Sequence, residues 1–355
     1  MSVSREWKGA GLGAAVIALY MALVLGSGMV DPGMFGRMLA FYVKTSFLIW
    51  TFMLGCTLLV LMVMRGRKSG NQPFLKDFIV TTARDRWQRD HYVSLVWPPL
   101  LFAGLLSSFN SFKQMILPLA GYSWDPMLAA ADKALFLGHD PWRVTHAIFG
   151  SPEATVFIDG YYHTWFLPMS LGVAVCAFMP ASTFRLRTQY LLSYIGVWVI
   201  VGSVFAYLMP SAGPCFYEPL VGQHASFQEL IQNLRRAQAE TGAELISLNN
   251  QQMLLELVSA DKLIVGGGIS AMPSVHNALA FLFALGAFRL NRVAGYVASA
   301  YAVMIWIGSI HLGWHYALDG LVAGVMTLLL WTICGRIAAM LDREGEVLQP
   351  APAVA

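Results

Sequence analysis

Long apolar blocks recur along most of the chain and limit what it can fold into. A helix needs about twenty consecutive apolar residues to cross a bilayer, and the sequence contains about eight such blocks. They lie near 11–30, 40–64, 93–117, 156–180, 188–209, 272–289, 294–311 and 316–338. Only 12% of the residues are charged, which is about half the share found in soluble domains. We therefore expect an all-α, polytopic membrane protein with about eight transmembrane helices.

Lysine and arginine predict the orientation of these helices. Nearly all basic residues outside the two longest connections fall on one side of an eight-span path. They are Arg5, Lys8, Arg65, Arg67, Lys68, Lys76, Arg84, Arg86, Arg89, Arg185, Arg187, Arg289, Arg292, Arg336 and Arg343. Because such residues favour the cytoplasmic side, we expect both termini to be cytoplasmic and the connections 118–155 and 211–271 to lie outside. The first block has no small-residue cleavage site after it, so we expect it to remain as a span.

Two polar motifs stand at the outer ends of apolar blocks. Residues 268–276 read Gly-Ile-Ser-Ala-Met-Pro-Ser-Val-His, and residues 311–319 read His-Leu-Gly-Trp-His-Tyr-Ala-Leu-Asp. Ionisable groups at the membrane are costly and mark functional sites. His315 and Asp319 share one helical face, so the carboxylate can hold the imidazole, while His276 comes from a different helix. One imidazole can attack and the other can protonate a leaving group, which favours covalent group transfer.

The motifs resemble those of a known family of membrane enzymes. Met-Pro-Ser-Val-His at 272–276 and Gly-Ser-Ile-His-Leu-Gly-Trp-His-Tyr-Ala-Leu-Asp-Gly at 308–320 are similar to those of the type 2 phosphatidic acid phosphatase superfamily. Tyr162-His163 with Pro168, and the run Pro-Ser-Ala-Gly-Pro at 210–214, resemble segments of the branch that holds inositol phosphorylceramide synthases. The resemblance covers roughly 93–338, and the first two spans lie outside it.

The resemblance implies a role for each motif residue. His315 would be the nucleophile that forms a phosphohistidine, Asp319 would orient it, and His276 would protonate the leaving oxygen. Ser274 and nearby backbone N–H groups would bind phosphate oxygens, as helix N-termini do. A phosphate ester needs this combination of nucleophile, proton donor and fixed dipoles.

One position departs from the wider superfamily and leaves the phosphate short of a cation. That superfamily has an arginine six residues before the nucleophile, where this chain has Ser309, which we place with Ser274 among the substrate-binding residues. The inositol phosphorylceramide synthase branch also lacks this arginine, so the departure favours that branch. Lys113 is a candidate replacement, with a snorkelling interfacial lysine as the alternative.

Further polar residues near the motifs have two interpretations each. His311 is one turn before His315 and could bind the phosphate or head group, or be a satisfied interfacial residue. Tyr162 could face the site or anchor the helix in the aromatic belt at the membrane interface. His163 could face the site or be a polar group at that interface.

These observations divide the chain into three parts. Residues 1–92 would form two N-terminal spans and a basic cytoplasmic loop, and 339–355 a cytoplasmic tail. Residues 93–338 would form the catalytic transmembrane core of about six helices, with the two outer connections as helical caps.

We expect an enzyme that cleaves a lipid phosphate ester at the outer face, without metal or other cofactor and without nucleic acid. The missing arginine favours transfer of the phosphoryl group to an alcohol or lipid acceptor. The alternative is hydrolysis by water, which would make the protein a phosphatase for phosphatidic acid or a polyprenyl phosphate. A bacterial inner membrane with a periplasmic site is the expected location. Two other classes remain: a transporter that uses the buried ionisable groups for coupling, and a metalloenzyme ligated by His311, His315 and Asp319.

Overall fold

A computed structural model of the chain describes residues 4–69, 90–259 and 266–347, together with five positions between 77 and 84. All regular elements in these ranges are helical. They are α1 (Arg5–Gly26), α2 (Pro32–Ser69), α3 (Val93–Ala120), α4 (Asp125–Leu135), α5 (Pro141–Phe149), α6 (Pro152–Tyr162), α7 (Phe166–Phe178), α8 (Phe184–Gly196), α9 (Ala206–Leu208), α10 (Tyr217–Leu220), α11 (Ala225–Thr241), α12 (Ile246–Ser259), α13 (Val275–Leu290), α14 (Arg292–His311) and α15 (Ala317–Val347).

Six stretches of the described chain are helical, long and apolar enough to cross a membrane. They are Arg5–Gly26, Pro32–Leu59, Val93–Ala120, Ala181–Leu208, Arg292–His311 and Ala317–Arg343. The all-α, polytopic architecture is therefore confirmed, whereas the count of eight spans stays a prediction. The predicted block 272–289 corresponds to α13, which is shorter, with 16 residues.

The predicted block 156–180 is broken in the structure. α6 ends at Tyr162, a single 3₁₀ turn covers His163–Trp165, and α7 begins at Phe166. Pro168 explains the break, because it has no N–H to donate to the carbonyl four residues earlier and its ring excludes that carbonyl. Proline is tolerated in the first turn of a helix, which is where α7 carries it.

α13 is the central helix of the core. It packs against α7, α8, α14 and α15, and its buried residues include Ala278, Ala280, Ala284 and Ala287. Small side chains let helix backbones approach closely where lipid supplies no hydrophobic drive for association. This packing fixes the N-terminal end of α13, and with it the first motif.

A π-helical segment, Val197–Phe205, continues α8. Its Gly202 allows a close approach, since a Cβ there would lie 2.7 Å from a methyl group of Val275 and 2.8 Å from the ring of Phe109. Trp198 in the same segment meets the Phe109 ring edge-on at 4.6 Å. The segment thus brings α3 and α13 together just below the motifs.

Candidate active site

The structure brings the three core residues of the two motifs together. His276 stands in the first turn of α13, Asp319 in the first turn of α15, and His315 in the loop between α14 and α15. His315 Nε2 lies 3.3 Å from His276 Nδ1. His315 Nδ1 lies 2.9 Å from the carbonyl oxygen of Ala271 and 3.2 Å from Asp319 Oδ2. The pairing of His315 with Asp319 that the sequence spacing predicted is present in the structure.

The oxygens around His315 determine which of its nitrogens carries the proton. Nδ1 faces two acceptors, so it is the N–H donor, and Nε2 keeps its lone pair toward His276. Burial lowers the pKa of His315 to about 3, against the raising effect of the hydrogen bond to Ala271, and the charge of Lys113 lowers it further. A neutral imidazole with an available Nε2 is the form required of a nucleophile.

Both histidines line a cavity of about 400 Å³. Along α3 the lining runs from Lys113 to Leu106, and we call these its polar and its apolar end. The other polar side chains in the lining are those of Tyr162, His163, Asn250 and Ser270, joined by backbone of the Gly266–Gly268 segment. Apolar side chains form most of the rest, among them Tyr42, Phe109, Met169, Trp198 and Val275. The cavity therefore matches a molecule with a polar head and an apolar body.

Two serines predicted to contact phosphate are not brought to the cavity lining. Ser274 is fully buried and caps α13, with Oγ accepting from the Asn277 backbone N–H at 3.3 Å and from Asn277 Nδ2 at 3.0 Å. Ser309 Oγ donates to the Trp306 carbonyl at 2.7 Å and accepts from Asn277 Nδ2 at 3.3 Å. Their hydroxyls are used in holding α13 against α14.

His311 also lies away from the cavity. Its Nε2 is 3.1 Å from Thr155 Oγ1, and its ring lies 4.0 Å from that of His146. His146 Nε2 donates to the His311 carbonyl at 2.9 Å. His311 therefore belongs to the contact of α14 with α5 and α6. Among the described residues, no cluster of three or more His, Cys, Asp or Glu side chains could hold a metal ion.

Lys113 reaches the same cavity as the histidines. No described group forms a hydrogen bond or ion pair with its ammonium, and its side chain is only partly buried. Gly268, with φ +82°, passes directly over the backbone of α3 here, since a Cβ at this position would lie 2.9 Å from the Lys113 carbonyl carbon. Within the described ranges, Lys113 is thus a cation without an ion-pair partner, and it lines the same cavity as the two imidazoles.

The aromatic residues of the 162–165 region form a wall beside His276. The Trp165 ring meets His276 edge-on at 4.3 Å, and the Tyr162 ring lies 5.7 Å from it. His163 Nδ1 donates to the Asp159 carbonyl at 2.8 Å, which leaves Nε2 to accept from Asn250 Nδ2 at 3.3 Å. Asn250 belongs to the outer helix α12, and nothing in the sequence motifs indicated it.

Sequence reasoning also missed two aspartates on α4 that hold the second motif. Asp132 accepts from the backbone N–H groups of Ala317 and Leu318 at 2.6 and 2.9 Å, and so caps α15. Asp125 accepts from the Tyr316 hydroxyl at 2.8 Å. The two acids are spaced by two helical turns and therefore share one face. That pattern in a short apolar helix was a signal that could have found them.

The segment Pro210–Pro214 links the two motifs. The Ser211 carbonyl accepts from Ala271 N–H at 2.9 Å, and Ser211 Oγ accepts from Met272 N–H at 2.8 Å. Asp125 accepts from the N–H groups of Ala212 and Gly213 at 2.7 and 2.9 Å. Because the Ala271 carbonyl is also the acceptor for His315, this segment fixes the orientation of the nucleophile.

Comparison with known proteins agrees with this geometry. A model of the PAP2 superfamily, the type 2 phosphatidic acid phosphatases, matches residues 126–333, which is more than half of the chain and includes both motifs. No curated protein and no solved structure matches the sequence. The helical architecture, the paired histidines and the extent of the match lead to one conclusion: the chain belongs to the PAP2 superfamily.

Proposed function

We propose that this protein is an integral membrane enzyme that transfers the phosphoryl or phospho-head group of a lipid phosphate ester through a phosphohistidine on His315. The observation that carries the proposal is the orientation of His315. Its Nδ1 is held by Asp319 and the Ala271 carbonyl, and its Nε2 faces the cavity beside His276. Membership of the superfamily supports phosphatase or phosphotransferase chemistry on phosphate esters.

The first half of the reaction forms the phosphoenzyme. The Nε2 lone pair of His315 attacks phosphorus, the bond from phosphorus to the lipid oxygen breaks, and His276 donates a proton to that oxygen. Binding of an anionic phosphate favours the protonated form of His276. The imidazole of His315 becomes positively charged, and the carboxylate of Asp319 stabilises that charge. Lys113 compensates for the arginine that Ser309 replaces.

The second half returns the enzyme to its resting state. His276 accepts a proton from an incoming hydroxyl, whose oxygen attacks phosphorus and displaces His315. We propose an alcohol as the main acceptor, as in an inositol phosphorylceramide synthase, because Ser309 stands where ordinary phosphatases of the superfamily have arginine. Asn250 and His163 offer neutral hydrogen-bonding groups at the polar end of the cavity, which suits a hydroxylated acceptor. Water as acceptor would make the same site a phosphatase.

The apolar end of the cavity and the six long apolar helices support a lipid as the donor. The distribution of lysine and arginine supports a site at the outer face of a bacterial inner membrane, with both termini cytoplasmic. Residues 93–338 would then be the catalytic unit, capped outside by helices of 118–155 and 211–271.

The test is a direct assay of the purified protein with a panel of lipid phosphates. Phosphate release and lipid products are measured with and without alcohol acceptors, beside His315→Ala and with chelator present. We expect acid-labile phosphate on the wild-type protein and a new head-group lipid when the acceptor is present. Release of free phosphate that no acceptor diverts would assign a phosphatase. No phosphoenzyme and no turnover with any donor would overturn the proposal.

A further inference from the structure

The cavity extends from the histidines into the apolar interior along α3. Lys113 lines its polar end and Leu106 its apolar end, with Asn110 and Phe109 between them. Seven residues of α-helix rise about 10 Å, so the lining follows α3 for about two helical turns between the backbone positions of Lys113 and Leu106. Such a space suits a hydrocarbon chain attached to a phosphate.

The N-terminal helix α2 runs antiparallel to α3 beside this space. Ile17 of α1 lies beside Gly104 of α3, and Ser27, at the end of α1, has its Oγ 4.0 Å from the Met115 sulfur, so α1 runs parallel to α3. Met38, in the second turn of the following helix α2, has its sulfur 3.0 Å from Asn110 Nδ2, farther back along α3. Residue numbers therefore rise along α2 as they fall along α3. Tyr42 is one turn beyond Met38, about 6 Å farther along the axis, which brings it to the level of Leu106.

Among the side chains of α2 that the structure describes, that of Tyr42 reaches the cavity wall. Its ring packs against the main apolar core and meets the ring of Phe41 edge-on at 5.4 Å, whereas Phe47, farther along α2, is 74% exposed. α2 lies outside the residues 126–333 that match the PAP2 superfamily. The contact of Tyr42 with the cavity therefore comes from a helix outside the matched region. It gives α2 a place in the cavity lining besides its packing against the core.

From these placements we infer that Tyr42 closes the apolar end of the cavity and limits the length of hydrocarbon chain that the lipid substrate can bury. The inference rests on the proposed function, because it assigns the chain of the same lipid phosphate. A bound chain lies along α3 from Lys113 to Leu106 and ends against the Tyr42 ring. Truncating this ring lengthens the space, and a larger ring shortens it.

Binding of n-alkylphosphonates of increasing chain length tests this assignment without requiring turnover. Each methylene that enters the cavity raises affinity about fourfold, so affinity should climb with length and then level off. Tyr42→Ala should move the plateau to longer chains, and Tyr42→Trp should move it to shorter chains. Phe47→Ala, which removes an exposed ring of the same helix, is the matched control and should leave the plateau unchanged. The same variants, assayed with lipid phosphates of graded length, should shift their preference about tenfold or more in kcat/KM.

The outcomes separate this inference from the proposed function. A plateau that moves with Tyr42 while no lipid phosphate is turned over would support the chain assignment and reject the reaction. Turnover with a plateau that neither Tyr42 variant moves would reject the chain assignment alone. Affinity that rises with length without limit would mean that the chain leaves the cavity for the bilayer, and would overturn the role of Tyr42. Failure to bind any phosphonate would overturn both.

Discussion

At the scale of single residues, Asp319 is the group whose charge can be removed with least disturbance. Its Oδ2 accepts from His315 Nδ1 and from the Tyr316 backbone N–H at 3.0 Å, and an asparagine oxygen can keep both bonds. Asp319→Asn should therefore retain the fold and the tautomer of His315 but lose the stabilisation of the charged imidazole. We expect kcat to fall about 10²–10³-fold.

His315→Ala is the reference for this change, because it removes the nucleophile and should abolish phosphoenzyme formation. Rapid-quench measurement of phosphoenzyme formation checks the prediction. Asp319→Asn with unchanged phosphoenzyme formation would show that the carboxylate only packs the motif and has no part in the chemistry.

The ionisation of His315 gives a second prediction at this scale. Burial lowers its pKa to about 3, and the groups facing it are His276, Asp319 and Lys113. A lowered pKa means that the folded protein favours the neutral imidazole, which persists until pH falls through the folded value. Titration by ¹⁵N NMR, with the signal assigned through His315→Gln, should show a neutral ring down to about pH 5. Protonation of the His315 ring near pH 6.5 would contradict this prediction. Lys113→Met should raise the pKa of His315, because it removes a nearby positive charge.

Some site residues could be predicted from the sequence, whereas the contacts of others depend on side-chain conformation. His276, His315 and Asp319 could be grouped because the path of the chain brings the ends of their helices to one point. The prediction that His315 and Asp319 share a helical face was wrong, because His315 lies in the loop before α15. The contacts of the Ser274 and Ser309 hydroxyls could not be predicted in this way. Whether a serine hydroxyl caps a helix or faces a cavity depends on its rotamer and on neighbours such as Asn277, which no spacing reveals.

At the scale of secondary-structure elements, α4 holds the start of α15 through Asp132. Its two carboxylate oxygens accept from Ala317 and Leu318 N–H. Asp132→Asn loses one of these acceptors, which should lower the free energy of unfolding by about 1–2 kcal/mol. Because Asp319 lies in the same first turn, kcat should fall as well.

Asp31→Asn is the control for this prediction, because Asp31 caps α2 in the same way, with Oδ1 2.7 Å from Met34 N, but is exposed and far along the chain from the motifs. Thermal unfolding and turnover of the two variants are compared. The control should lose little stability and no activity. Equal losses of activity in both variants would argue against a specific link from α4 to the site.

Helix boundaries could be predicted where hydropathy was the dominant signal in the sequence. They could not be predicted where a proline interrupted an apolar block. The block 156–180 has the apolar length of one span, but Pro168 breaks it and the 3₁₀ turn His163–Trp165 carries the aromatic wall of the site. Hydropathy averages over such a break. α12 lies in the connection 211–271, which was predicted to form a helical cap, but its contact with His163 through Asn250 depends on tertiary packing.

At the scale of the whole molecule, the cavity unites segments that lie far apart in the sequence. α2, α3, the 162–169 region, α12 and both motifs contribute to one wall. The order of apolar blocks and the sidedness of the basic residues predicted which ends meet. They could not predict that α2 would reach the cavity, because a helix with apolar residues on all faces carries no signal for the face that packs inward.

Orientation in the membrane is the property of the whole chain that can be tested most directly. α13 starts at the site and ends at Leu290, so its far end lies about 21 Å along the axis from His276. Leu137, in the connection after α4, is 91% exposed, and Arg292 begins α14 beyond the far end of α13. Cysteines at these two positions should therefore lie on opposite sides of the bilayer.

Leu137→Cys and Arg292→Cys can be compared in a Cys56→Ser background, since the other three cysteines are buried. With a membrane-impermeant maleimide on intact cells, we expect Leu137→Cys to react and Arg292→Cys to react only after permeabilisation. The reverse pattern would place the histidines at the cytoplasmic face and overturn the proposed location, while leaving the chemistry of His315 intact. Labelling of both cysteines from one side would contradict a membrane-crossing α13. It would also contradict the placement of the two histidines at one face of the membrane.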